Sequence, residues 1–301
     1  MVPLVANSMS ASARDSRGMA MDLTRRSALS AGIGLALGKG PGPAPRRVVS
    51  LNPCLDAILL DLADRQQIAA LSHLARSPES TIPAPVAWSL PQTWETAEEV
   101  LLLRPDLVLA STFTPSSTRK ALARQAIPLA LFGLPPSVAA SLDQIRHLAR
   151  LLHQPDRGAA LVYRIEAALA AAAPPPGHPP VKALILQSGG FSPGSGTLAD
   201  EMLQKTGFEN MAPHYGTRSW QKVELEQILA NPPQVLLTGT PQDRARSLAA
   251  HHLDHPALEV LKGRMLRADF PQALLNCAGP TLIMTAERLA RIRNTLPAGL
   301  A

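Results

Sequence analysis

The stretch PDRGAALVYRIEAALAAAA, residues 155–173, opens on a proline and runs into a proline block, and it limits the fold more than any other feature of the chain. Pro155 suits the first helical position, where its missing N–H has no partner to lose, and Asp156 adds negative charge where the helix dipole favours it. Leu161, Ile165, Ala168, Leu169 and Ala172 recur at helical spacing as one apolar stripe, and alanine has the highest helix propensity. The run PPPGHPP, residues 174–180, cannot continue a helix. The spacing therefore predicts one rod of about 19 residues, roughly 28 Å long at about 1.5 Å per residue. A rod with unlike sequence on either side implies a spacer between two lobes.

Each side reads as alternating strands and helices. On the amino-terminal side, Arg47 to Leu51 is a buried strand, Asn52-Pro53-Cys54 turns it into a helix over 55–63, and 68–71 is a second strand. A long polar, proline-rich loop is expected over 72–93, with His73 and Trp88 inside it and Trp94 beside it. Helix 98–103, strand 107–110, helix 116–126, strand 128–132 and helix 137–153 follow. On the carboxyl-terminal side, strand 181–187 leads into a glycine-rich loop over 188–196, read as flexible, and then into helix 197–206. Trp220 precedes helix 224–230, and strand 235–238, helix 243–251, strand 265–268 and a closing helix over 281–293 complete the chain. The expected fold is α/β, two Rossmann-like lobes with central, mainly parallel sheets joined by a single long helix. The boundaries read as a leader over 1–45, lobes over 46–153 and 177–301, and the connection over 154–176.

A repeat supports two lobes of one design. Glu98-Glu99-Val100-Leu101 precedes Pro105 and the strand Leu107-Val108-Leu109, and Glu226-Gln227-Ile228-Leu229 precedes Pro233 and the strand Val235-Leu236-Leu237. In both, the glutamate stands seven residues before the proline.

With 301 residues, 46% hydrophobic and 17% charged, the chain can bury a substantial core. Its 29 prolines punctuate apolar runs and form no repeat. The net charge is +6, or +4 without residues 1–38, which hold four Arg and two Asp, and no Lys/Arg run tracks a phosphate backbone. Nucleic acid is therefore not an expected partner. Near the amino terminus, Thr24-Arg25-Arg26-Ser27-Ala28-Leu29 opens a short apolar stretch ending at Gly38, and resembles a twin-arginine export signal. The apolar run is too short to span a bilayer. No Cys follows it, so the expected product is a periplasmic protein without a lipid anchor.

Several motifs have competing readings. Gly190-Phe191-Ser192-Pro193-Gly194 matches G-x-S-x-G after an apolar strand, but Pro193 has no N–H for an oxyanion hole, which argues against a serine hydrolase. His251 and His255 have the i, i+4 spacing of a metal pair, yet Pro256 ends any helix there and no third ligand is evident, so no metal site is expected. His73 and His214 fall in loops expected at the cleft, one per lobe, and read either as ligand contacts or as solvated loop histidines. Trp88, Trp94 and Trp220 read either as caps on small cores or as stacking surfaces for a flat ligand. Cys54 and Cys277 read as two free thiols or as one long-range disulfide.

Together, Val48-Val49-Ser50-Leu51-Asn52-Pro53, the run AEEVLLLRPDLVL up to Leu109, the run WQKVELEQILANPPQVLLTG from Trp220 to Gly239, and the long joining helix resemble the periplasmic substrate-binding proteins of ferric-siderophore and cobalamin ABC importers, the helical-backbone metal receptor family. The resemblance covers residues 47–295 and implies a ligand held between two lobes and a loaded protein that docks on a membrane permease. It implies no catalytic residue and no resident cofactor. Cys54 departs from the pattern, in which Ser is more usual at that position. Trp220 looks like the cleft tryptophan of cobalamin-binding members, whereas Ser111 stands where an aromatic would be expected.

The crevice beyond the strand ends is the expected binding place. The candidate contacts are Asn52, Cys54, His73, Trp88, Trp94 and Phe113 from the first lobe, and His214, Tyr215, Arg218 and Trp220 from the second. Glu98 and Glu226 are the candidate permease-docking carboxylates, one per lobe, with Glu99 and Glu224 as rivals. The expected partners are a metal-chelate small molecule and an inner-membrane ABC permease. Two alternatives are an exported cofactor-bearing enzyme, which would need a convergent acid, base or nucleophile, and a carrier of bare zinc or manganese, which would need three or four His/carboxylate ligands.

Overall fold

The computed structural model describes residues 43–240, 256–259, 261 and 263–297. The leader with its paired arginines, helix 243–251 and the His251/His255 pair lie outside the described residues. Among the described residues, no helix is long and apolar enough to cross a membrane.

Strand β1 (Val48–Ser50) is buried along its length, because it lies in the middle of a sheet covered on both faces. Around it stand β2 (Ile68–Ser72), β3 (Gln92–Thr93), β4 (Leu107–Ser111) and β5 (Leu129–Phe132) in the order β3-β2-β1-β4-β5, all parallel. The chain winds outward from β1 in both directions, so the switch point falls between β1 and β4. The second lobe repeats the logic with β6 (Val181–Leu186), β8 (Phe208–Asn210), β10 (Val235–Thr238) and β11 (Leu266–Asp269) in the parallel order β11-β10-β6-β8. Its switch point lies between β6 and β10.

The rod forms as the sequence implies. Helix α6 (Pro155–Ala172) packs on α5 (Val138–Leu151) of the first lobe and on the closing helix Thr281–Asn294 of the second. A Cβ at Gly158 would lie 2.4 Å from the Ala149 Cβ, so glycine lets α5 and α6 approach this closely. Arg157 reaches α1 (Pro53–Leu62) through the Leu62 carbonyl and its neighbour Asp64 at 2.6 Å, and Arg293 donates to the Ala172 carbonyl at 2.8 Å. Both ends of the rod are thereby tied to the lobes.

Four further ties join the lobes beneath the cleft. Cys54, in the first turn of α1, forms a disulfide with Cys277, Cα to Cα 5.1 Å, which decides between the two cysteine readings. The Gly279 amide donates to Ser141 Oγ on α5, the Thr81 and Thr281 hydroxyls lie 3.2 Å apart, and the Val138 amide donates to Glu201 Oε2.

Two expected loops have more order than the sequence suggested. Residues 72–93 hold a short 3₁₀ turn (His73–Arg76), helix α2 (Ala84–Trp88) and the edge strand β3. The glycine-rich loop holds β7 (Phe191–Pro193), paired antiparallel with β9 (Trp220–Lys222), so Trp220 lies on a strand and not in a loop. Gly and Pro hide a strand's alternation, and the partner of β7 is distant in sequence, so this ribbon left no local signal. Ser192 sits fully buried within β7 and not on a strand-to-helix elbow.

Candidate functional site

The carboxyl ends of β1 and β4 form the floor of the first lobe's crevice. Asn52 follows β1 and caps α1, its Oδ1 accepting from the amides of Cys54 at 3.0 Å and Leu55 at 3.3 Å. After β4, Thr114 Oγ1 accepts from the Ser111 amide and Ser111 Oγ accepts from the Phe113 amide. This tight turn leaves the Phe113 ring 76% exposed. Asn52, Cys54, Ser111 and Phe113 line one small cavity of about 40 Å³.

His73 follows β2 and Trp94 follows β3, and their rings stack 4.4 Å apart with Trp94 68% exposed. Glu99 on α3 (Ala97–Leu102) holds this corner, accepting from the Trp94 amide and from Thr93 Oγ1. Glu95, at φ 68°, stands 3.9 Å from His73 Nδ1, and burial pushes its carboxyl upward against the opposing pull of His73. Deeper in the same lobe, Asp56 is fully buried and accepts from the Ser72 amide and, at 2.6 Å, from its hydroxyl. Desolvation by burial pushes Asp56 up to about 7, against the pull of the Ser50 and Ser72 hydrogen bonds.

In the second lobe the β7/β9 ribbon positions Trp220. The Gly194 amide donates to the Ser219 carbonyl at 2.7 Å, and a Cβ on Gly194 would lie 2.4 Å from the Thr217 carbonyl oxygen, so only glycine fits this crossing. Trp220, 39% exposed, stands at a larger cavity of about 230 Å³ that Leu134, Pro135 and Pro136 wall from the first lobe. The two cavities share Leu134, Pro135 and Ala278, and the disulfide lies between them, Cys54 lining the smaller and Cys277 the larger. A shallower recess of about 400 Å³ beside Pro43 and Arg46 lies at the amino ends of β1 and β4, opposite the crevice.

The structure thus brings Asn52, Cys54 and Phe113 together at the lobe junction, with Trp220 at the adjoining cavity, and stacks His73 on Trp94 after β2 and β3. The remaining expected contacts have these surroundings. Trp88 projects from α2 under the Arg76 guanidinium, 4.1 Å from its ring centre, and lines neither cavity. His214 Nε2 lies 2.8 Å from Glu209 Oε1, on a 3₁₀ turn that Gly216 ends at φ 84°. Tyr215 is a core residue: it packs with Leu184, Ile228 and Leu236, its hydroxyl donates to the Asn231 carbonyl, and burial pushes the phenol up to about 12. Cys54, being in the disulfide, has no thiol to offer a ligand. Arg218 is exposed and its amide points to Gln221 Oε1. Among the described residues, no cluster of three His, Cys, Asp or Glu could hold a metal ion. Sequence reasoning missed Leu134 to Pro136 and Asn276 to Ala278, whose one local signal was proline or glycine near a strand or helix end.

The two repeat glutamates occupy equivalent places. Glu98 is the second residue of α3 and Glu226 the second of α8 (Leu225–Ala230), each helix has six residues, and both side chains are exposed. Their rivals are engaged: Glu99 holds the Trp94 corner, and Glu224 caps α8 and pairs with Lys222.

Two parallel-sheet lobes facing across a crevice and joined by one helix define a two-lobed solute-binding protein. The periplasmic binding protein family matches residues 48–262, and the chain belongs to that family. Among its relatives, the vitamin B12-binding protein of Pectobacterium atrosepticum is 26% identical over 266 residues, covering 81% of this chain and 87% of that one. The cobalamin-binding protein of Halobacterium salinarum is 25% identical over 210 residues, covering 68% of this chain, and the chain spans only 57% of that protein's length. Of solved structures, the periplasmic haem-binding protein RhuT from Roseiflexus is 26% identical with a TM-score of 0.64, covering 82% of this chain and 97% of that one. The haem-binding protein HutB of Vibrio cholerae, 20% identical with a TM-score of 0.67, covers 82% of this chain and 98% of that one and shares the fold.

Proposed function

We propose that the protein is the extracytoplasmic carrier of an ABC importer and that it holds a flat metal chelate of the cobalamin or haem class between its lobes. The observation that carries this reading is the crevice itself. Its cavities are walled from both lobes, with exposed Phe113 at the smaller and Trp220 at the larger. Exposed rings contributed by both lobes suit the faces of a large planar ligand. The relatives named for vitamin B12 favour cobalamin first and haem second. The ligand brings its own metal, so no protein metal site is required. The carrier does no chemistry on its cargo.

Titrating the purified protein with cyanocobalamin and with haemin, followed by absorbance and calorimetry, tests the reading. One of them binds at 1:1 with Kd below about 10 μM, and Trp220→Ala weakens it about tenfold, equivalent to about 1.4 kcal/mol. Binding of neither chelate, or a Trp220→Ala affinity within twofold of wild type, sinks it.

Glu98 and Glu226 are the permease contacts in this reading. A permease of two like subunits offers two like sockets, and exposed carboxylates at matching positions answer them, setting encounter rate and register. Reversing both charges, Glu98→Lys with Glu226→Lys, lowers chelate uptake in cells about tenfold or more while leaving chelate affinity within about twofold. Unchanged uptake removes the docking role. Export by the twin-arginine signal fits the disulfide, since such bonds persist in oxidising compartments.

A further inference from the structure

We propose that the larger cavity is a separate apolar subsite, taking an uncharged aromatic or alkyl group of about nine non-hydrogen atoms appended to the molecule held in the crevice. The inference rests on the ligand-carrier reading. Ile185, Met202, Phe270, Leu282 and Leu289, all buried core side chains of the second lobe, form its inner wall, and Leu134 to Pro136 close it from the first lobe. Among the described residues, none that line it carries a charge. Its two threonine hydroxyls are already used. Thr197 Oγ1 donates to the Gly194 carbonyl and accepts from the Asp200 amide, while Thr285 Oγ1 donates toward the Leu274 and Thr281 carbonyls. The other polar side chains of the lining, Ser219, Asn276 and the Trp220 indole, are neutral, so a carboxylate, phosphate or ammonium would lose its hydration here with no countercharge in return, and the occupant is uncharged.

Size sets the rest. A 150 Å³ cavity walled by Leu, Ile and Phe stays dry and admits benzene, so in proportion about 230 Å³ admits a fused bicycle or a chain of about nine carbons. A core free to relax would close a space of this size and bring its walls into contact. These walls are not free. The Cys54–Cys277 bond and the Ser141–Gly279 and Val138–Glu201 hydrogen bonds hold the lobes at a fixed separation around it. Trp220 lines the cavity and Leu134, Pro135 and Ala278 also line the small cavity on the crevice floor, so a group inside would be continuous with a chelate against the aromatic walls.

Calorimetry of the disulfide-intact protein with indole, and with indole-3-acetate as the charged counterpart, tests this. Indole binds saturably at 1:1 with Kd below about 1 mM, as its nine atoms allow. Indole-3-acetate binds at least tenfold more weakly. Ala199→Phe, which fills the cavity from α7 (Leu198–Lys205), weakens indole at least tenfold, with Ala199→Leu as the gentler filling if the melting curve shows that Phe disrupts folding. Indole that fails to saturate, binds the filled variant as tightly as wild type, or is matched by indole-3-acetate overturns the subsite. The two readings fail separately. If a chelate binds and indole does not, only the subsite falls; if indole binds as stated and neither cyanocobalamin nor haemin does, the chelate reading falls and the apolar subsite stands.

Discussion

Replacing Cys54 with serine lowers the unfolding free energy by about 3–5 kcal/mol and the midpoint of thermal unfolding by about 10 °C. The bond joins residues 223 apart in sequence and so closes nearly the whole described chain into one loop. Cross-linking removes entropy from the unfolded chain in proportion to the logarithm of loop length, which puts this bond at the upper end of what a single disulfide contributes. It also links the first turn of α1 to the segment just before the closing helix, so it crosses between the lobes where the two cavities meet. Loss of the bond therefore weakens chelate binding as well as stability, because the crevice walls lose their covalent spacing. Wild type treated with a thiol reductant melts with the serine variant. A midpoint within about 2 °C of oxidised wild type would show that the lobes are held by packing alone.

The second large effect is a pH dependence centred on Asp56. Its carboxyl titrates at about 7 in the folded protein against 3.8 ordinarily, because burial disfavours the charge more than the Ser50 and Ser72 hydrogen bonds support it, and nearby Glu95 adds a repulsion. The shift is upward for an acid, so between these two pH values the folded state holds the extra proton. Stability from this group is complete below the unfolded value and is lost as pH rises through 7. Asp56→Asn keeps an acceptor for the Ser72 hydroxyl without the charge. Its stability relative to wild type rises by about 3 kcal/mol between about pH 4.5 and pH 8, read from urea unfolding at both. A difference constant across that range would mean the carboxylate is stabilised by a partner that burial alone does not reveal. The consequence reaches the site, since Ser72 immediately precedes His73 and Asp56 lies one helical turn beyond Asn52.

The order of elements was legible because each element writes its own burial into its own residues. Helix 155–173 was marked by a proline at each end and an apolar stripe between, and α6 runs Pro155–Ala172. Strands β1, β4, β6 and β10 are short apolar runs bounded by turn residues, and the repeat placed Glu98 and Glu226 correctly in two matching six-residue helices. The loop ends of those strands carry Asn52 and Phe113, which line one small cavity, because a doubly wound sheet opens at its carboxyl edge.

Tertiary structure decided what depends on pairs far apart in the chain. The pairing of β7 with β9, and with it the place of Trp220, follows from backbone bonds between segments whose Gly and Pro conceal any alternation. The turn that ends at Gly216 directs Tyr215 into the core and seats His214 beside Glu209, although both share a stretch of sequence with Trp220. The choice between free thiols and a bond, and the cavity that the bond holds open, required Cys54 and Cys277 to be brought within 5.1 Å, Cα to Cα. Local pattern records which face of an element is buried; it carries no record of which distant element covers that face, because that choice is settled by long-range packing after the loop-closure entropy has been met.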